Sequence, residues 1–210
     1  SWLLDGCEVE ARKEETFEEW MTSMRFQTAT DAGSGCEPIL FAAMTGRADI
    51  VEALLDRGVS LESVVTRNQP SVLLGKGFTL LTIAACYARD ASIIELLLRR
   101  GADPRRKINL FGYTAIFSAS TWGNKQGTKA LMRHDPTLGE DVADNGNPML
   151  SGAFCIGHVK LLSWLREEYP QQLEATVRLH EVTRSNGVSL IATAIGFGTA
   201  HVDMLKMYLD

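Results

Sequence analysis

Thr79-Leu80-Leu81-Thr82-Ile83-Ala84-Ala85 runs on to Ile93-Ile94-Glu95-Leu96-Leu97-Leu98-Arg99-Arg100-Gly101-Ala102-Asp103. An earlier stretch has the same layout: Pro38-Ile39-Leu40-Phe41-Ala42-Ala43, then Ile50-Val51-Glu52-Ala53-Leu54-Leu55-Asp56-Arg57-Gly58. Each is a short alanine-rich segment, a break, a leucine-rich segment and a glycine. The apolar residues of the second segment fall on one helical face. Gly58 and Gly101 stand where helices commonly end in a left-handed residue. Thr79 can cap free amide groups, and Pro38 suits a first helical position, where its missing N–H was unpaired anyway. The small pairs Ala42-Ala43 and Ala84-Ala85 let a neighbouring helix come close.

Self-similarity at a fixed period is the signature of a repeat architecture. These residues resemble ankyrin repeats, whose period is about 33 residues. Weaker copies follow. One is Gly112-Tyr113-Thr114-Ala115-Ile116-Phe117-Ser118-Ala119-Ser120, with Gly123 and Ala130-Leu131-Met132. The next is Asn147-Pro148-Met149-Leu150-Ser151-Gly152-Ala153, with Gly157-His158, Leu161-Leu162 and Trp164-Leu165. The last is Gly187-Val188-Ser189-Leu190-Ile191-Ala192-Thr193-Ala194, with Gly198, Val202, Leu205 and Leu209. The expected fold is therefore all-α, a solenoid of about five helix-turn-helix units with projecting hairpin fingers.

The chain departs from the family pattern at the fourth place of T-P-L-H. Leu40, Thr82, Phe117, Leu150 and Ala192 stand there instead of histidine, so the turn-stabilising Thr–His bond is expected to be absent. The third and fourth copies also lack a glycine after the second helix. Residues 61–76 and 167–185 are longer than the period needs and are expected to project as enlarged fingers. Residues 1–32 form a separate N-terminal segment in this reading, with 33–210 as the repeat domain. Phe17, Trp20, Met21 and Met24 share one face of an amphipathic helix there, with Glu14-Glu15 and Glu18-Glu19 toward water.

Composition narrows the function classes. The chain has 210 residues, 45% hydrophobic and 22% charged, with a net charge of −5. It offers no general attraction to nucleic acid or anionic membrane. No apolar run approaches the ~20 residues of a membrane span. Cys7, Cys36, Cys86 and Cys155 are scattered, as expected in a reduced compartment. An intracellular, cytoplasmic location is expected, or an organelle if Ser1 is a processed start. The apolar run Met204 to Leu209 lacks the polar cap a solenoid end requires, so further chain or a partner is expected after Asp210.

Catalytic constellations are missing from the sequence. His134, His158, His180 and His201 lie far apart, with no H-E-x-x-H and no cysteine at ligand spacing. His158 reads as a turn residue after Gly157. Gly75-Lys76-Gly77 lacks the spacing of a phosphate loop, and no G-x-S-x-G is present. No enzyme activity, cofactor or metal is expected. The basic run Arg99, Arg100, Arg105, Arg106 and Lys107 reads as a solvated helix end, where cations suit the helix dipole. A docking patch for an acidic partner is the alternative.

The resemblance implies noncovalent protein recognition. In such stacks the two positions after the small pair of each first helix face a concave groove. They are Met44-Thr45, Cys86-Tyr87, Thr121-Trp122, Phe154-Cys155 and Gly196-Phe197. Aromatic side chains are favoured interface anchors. Met44, Tyr87, Trp122, Phe154 and Phe197 are thus the expected partner-binding column, which Phe111 and Tyr113 extend onto the fingers. A fixed subunit of a larger assembly and a regulatory region of a larger enzyme or channel are the alternatives.

Overall fold

The computed structural model describes residues 38–65 and 76–182. Its α-helices pair in order. They are α1 (Pro38–Met44) with α2 (Ala48–Asp56), α3 (Leu80–Tyr87) with α4 (Ser92–Arg99), α5 (Ala115–Thr121) with α6 (Lys125–His134), and α7 (Ser151–Ile156) with α8 (Val159–Glu168). A further helix, α9 (Pro170–Val182), follows. The first helices stack on one another as α1–α3–α5–α7, and α2, α4 and α6 form the outer row. This is the expected all-α solenoid. The N-terminal helix, the fifth copy with Phe197, and residues 66–75 lie outside the described residues.

Local chemistry explains where each helix begins and ends. The Thr79 side chain accepts the Thr82 amide at 3.1 Å, and the two hydroxyls lie 3.0 Å apart. The second unit thus replaces the missing Thr–His bond with a Thr–Thr pair. The α4 helix ends at Gly101 (φ 92°), whose left-handed backbone lets the Ala102 amide reach the Leu97 carbonyl at 3.0 Å. The third unit needs no glycine. Asp135 ends α6 and accepts the Thr137 amide at 3.0 Å, opening a 3₁₀ turn over Pro136–Gly139. That turn buries Leu138 completely, so the repeat continues without loss of regularity.

The core is one continuous apolar layer between the two rows. Leu40, Ile83, Ile94, Leu97, Ile116, Leu131, Leu162 and Leu165 are fully buried in it. Leu54 and Leu98 join it, while Leu55 is half-buried against it. Small residues set the spacing. A β-carbon on Gly127 would stand 2.0 Å from the Ala85 carbonyl oxygen, so α6 touches α3 there. Gly152 approaches Thr121 in the same way, seating α7 against α5.

Equivalent residues also tie each unit to the one before. Asn124 donates from Nδ2 to the carbonyls of Cys86 and Ala88, each at 3.0 Å, at the end of α3. His158, one unit later, meets the Thr121 carbonyl at the end of α5 through Nε2 at 2.7 Å. Both side chains satisfy carbonyls that a helix C-terminus leaves unpaired. The turn role expected for His158 is thereby specified as a clamp between units.

Hairpin fingers join the units. Val65 and Phe78 pair at 2.9 Å, Ile108 and Tyr113 at 2.8 Å, and Ala143 and Asn147 at 2.8 Å. Residues 167–182 differ from expectation. Glu167 and Glu168 finish α8, and Pro170 opens α9, with Leu173 and Val177 packed on the core and Thr176 buried. The spacing of these three residues puts them on one helical face, so the extra length becomes packed helix rather than a finger.

Candidate functional site

The second finger carries the most exposed apolar surface among the described residues. Asn109 turns the chain: its Oδ1 accepts the amides of Phe111 at 3.0 Å and Tyr113 at 3.3 Å. Its carbonyl accepts the Gly112 amide at 3.1 Å. These bonds occupy the backbone and leave Leu110 and Phe111 pointing into water, 99% and 57% exposed. The tip is fixed from the next finger too, because the Asp144 amide donates to the Phe111 carbonyl at 2.9 Å.

Behind the tip the aromatic rings form a graded ladder. Phe111 and Tyr113 lie 5.9 Å apart, and Tyr113 stacks flat on Phe117 of α5 at 3.6 Å. The Tyr113 hydroxyl accepts hydrogen bonds from Asn145 at 3.0 Å and Asn147 at 2.9 Å on the third finger. The root of the ladder is therefore anchored, and its outer end is free for contact. Sequence reasoning included Phe111 and Tyr113 but missed Leu110. Its signal was its place beside Asn109 and Gly112 at a turn, where a leucine finds no core.

The expected groove column divides three ways. Tyr87 and Trp122 meet across adjacent units, with ring centroids 4.9 Å apart and planes tilted by 51°. Both are half-buried. Partial burial raises the Tyr87 hydroxyl above its ordinary pKa, with the neighbouring Cys86 adding to the effect. Met44 is likewise half-buried, packed on the core at its inner side. Met44 and Tyr87 close α1 and α3, and Trp122 directly follows α5.

Phe154 requires correction. It is 1% exposed, one of the largest fully buried side chains, and it lies in the core rather than on the groove. The cause is one extra residue between the small pair Gly152-Ala153 and Gly157. Counting back from the left-handed glycine aligns Cys155-Ile156 with Thr121-Trp122 before Gly123 and with Met44-Thr45 before Gly46. Ile156 is accordingly 43% exposed and Cys155 half-buried. Phe197 falls outside the described residues.

Arg99 closes the last turn of α4, whereas Arg100, Arg105, Arg106 and Lys107 of the basic run are engaged by acids. Arg100 forks between Glu52 at 2.9 Å and Asp56 at 2.7 Å on α2. Arg105 reaches forward to Asp135 at 2.7 Å, Thr137 at 2.7 Å and Asp141 at 2.8 Å. Arg106 pairs with Glu62, and Lys107 with Asp144 at 2.7 Å. The second unit's cations thus meet acids on both neighbours. Each pair is partly solvated and therefore weak, so they set order and register more than stability. The Thr137 hydroxyl, with Arg105 beside it, holds the Asp135 carboxyl down at about 2.

The two described cysteines, Cys86 and Cys155, are thiols, not disulfides. Burial pushes both the Cys86 and the Cys155 thiol up, away from the reactive thiolate. No cluster of His, Cys, Asp or Glu suited to a metal ion occurs among the described residues. No helix among them is long and apolar enough to cross a membrane.

Comparison with protein families matches residues 7–108 to the family described as "Ankyrin repeats (3 copies)". The matched stretch contains the α1–α2 and α3–α4 pairs and begins ahead of residue 33. No curated protein matches the chain. Ankyrin repeats are in general protein–protein interaction modules and are typically non-catalytic. Residues 7–108 thus match ankyrin repeats, and the same helix pair is built twice more in residues 115–168.

Proposed function

We propose that the chain binds a partner protein across its fingers and concave helix ends, with the second finger's tip as the leading contact. Leu110 and Phe111 insert into the partner, Tyr113 supports them, and Tyr87, Trp122 and Met44 extend the surface along the groove. The observation that carries this reading is the full exposure of Leu110 beside Phe111 on a hydrogen-bonded tip. Burying such a side chain is worth ~1.5–3 kcal/mol, and the finger forgoes that gain in the free protein. A rigid tip also loses little entropy when it docks. Binding is noncovalent and uses no cofactor.

The test is a titration of the intact chain against the partner recovered with it from its own cells. The double change Leu110→Ser with Phe111→Ser should weaken binding at least tenfold. Folding stability should stay within ~0.5 kcal/mol of the parent, as for other surface positions. Unchanged affinity in the folded double variant would rule the finger tip out.

A further inference from the structure

The outer side of α6 shows a second feature, remote in chemistry from the aromatic surface. Gly127, Thr128, Ala130, Leu131 and Met132 are its buried residues. Lys125, Lys129 and Arg133 therefore line its outer side in one strip, their Cα atoms ~6 Å apart along the axis. Exposed cations also stand on the neighbouring helices. Arg99 on α4 follows buried Leu97 by two residues, just as Arg133 follows buried Leu131. Lys160 lies in the first turn of α8.

These cations differ from the run at 100–107, whose members are consumed by acids on neighbouring units. Arg99, Lys129, Arg133 and Lys160 form no ion pair among the described residues. Lys125 rests over the Trp164 ring, 5.8 Å from its centroid, which leaves its charge uncompensated. The acids on the same outer faces are Glu95 in the first turn of α4 and Glu167 and Glu168 at the far end of α8. The helix dipole accounts for Arg99 and Arg133, which stand in the last turns of α4 and α6, but not for the cations at the other helix ends. Neither α6 nor α8 has an acid in its first turn, and Lys125 and Lys160 sit at the positive end of their helix dipoles, where a cation is unfavourable.

We infer that this strip is a docking surface for an acidic peptide segment of a protein partner, helical and bearing carboxylates every fourth residue. That spacing reproduces the ~6 Å rise between the cations. A short segment also fits the field better than a long polyanion does. The chain carries a net charge of −5, and Glu167 and Glu168 bound the strip at the far end of α8. A nucleic acid or an anionic membrane would meet that repulsion, whereas a peptide confined to α4, α6 and the first turn of α8 would not.

The test is fluorescence anisotropy of the intact chain with a labelled alanine-rich peptide carrying glutamate at every fourth position. The expected result is saturable binding at about 50 mM salt that weakens steeply by about 200 mM. The same glutamates massed at one end of the peptide should bind more weakly. Lys129→Glu with Arg133→Glu should reduce affinity at least tenfold, and Lys129→Gln with Arg133→Gln less, with helical circular dichroism unchanged in both. The Leu110→Ser, Phe111→Ser variant should bind as the parent does, which keeps this surface separable from the finger tip. The inference is overturned if the peptide does not bind, or if the folded charge-reversed variant binds equally well. Tighter binding of single-stranded oligonucleotide or phosphatidylserine vesicles than of the peptide would overturn it as well.

Discussion

Thr121-Trp122 and Phe154-Cys155 are the two places that follow the small pair of the third and fourth units, and each holds one aromatic ring. Yet Trp122 leans on Tyr87 at the surface and Phe154 is sealed in the core. The difference comes from the single residue inserted before Gly157. A helix adding one residue turns its side chains by ~100°, enough to carry an aromatic ring from groove to core. The left-handed glycine, not the alanine pair, is therefore the reliable origin for numbering a groove in this stack.

The comparison can be broken most sharply at Phe154. Phe154→Ala should destabilise the chain by ~3–5 kcal/mol, the range for emptying a buried aromatic site, as read by chemical denaturation. A loss below ~1 kcal/mol would return Phe154 to the surface. Gly127→Ala comes next. Its new methyl would collide with backbone at Ala85, and overpacking of this kind costs ~1–3 kcal/mol. Asn124→Ala should follow at ~1–2 kcal/mol, because it removes both the cap of α6 and the link to the carbonyls at the end of α3. Trp122→Ala sharpens the comparison from the other side. It should cost clearly less than Phe154→Ala, since the half-buried ring pair contributes ~0.5–1.5 kcal/mol beyond area.

The smallest effect concerns pH. The Asp135 carboxyl titrates at about 2 when folded, below the ~3.9 of an unfolded aspartate. Its contribution is present above that unfolded value and is lost as pH falls from about 4 to about 2. Asp135→Asn should remove that part of the acid sensitivity and leave the neutral-pH slope unchanged. Denaturation midpoints across this window, parent against variant, measure it.

Local signals carried the parts of this fold that were legible in advance. The paired leucines, the helix-ending Gly58 and Gly101, and the Gly157-His158 turn are written within a few residues of where they act. What escaped depends on contacts distant in sequence or on counting. Arg105 finds Asp135 and Asp141 across a whole unit, so its basic neighbourhood read as solvated. The length of 167–185 suggested a finger, although Pro170, Leu173, Thr176 and Val177 already had the spacing of a packed helix. Leu110 went unremarked because aromatic residues drew attention and an exposed aliphatic one did not.

The account's central claim is that the stack recognises protein through its second finger. A photoreactive benzoyl-phenylalanine placed at position 110 of the intact chain, irradiated in its native cells, tests this most directly. The account predicts a discrete protein adduct that disappears with Phe111→Ser and is absent when the probe sits at exposed Ser92 on α4. No adduct at 110, or the same adducts from 92, would contradict it.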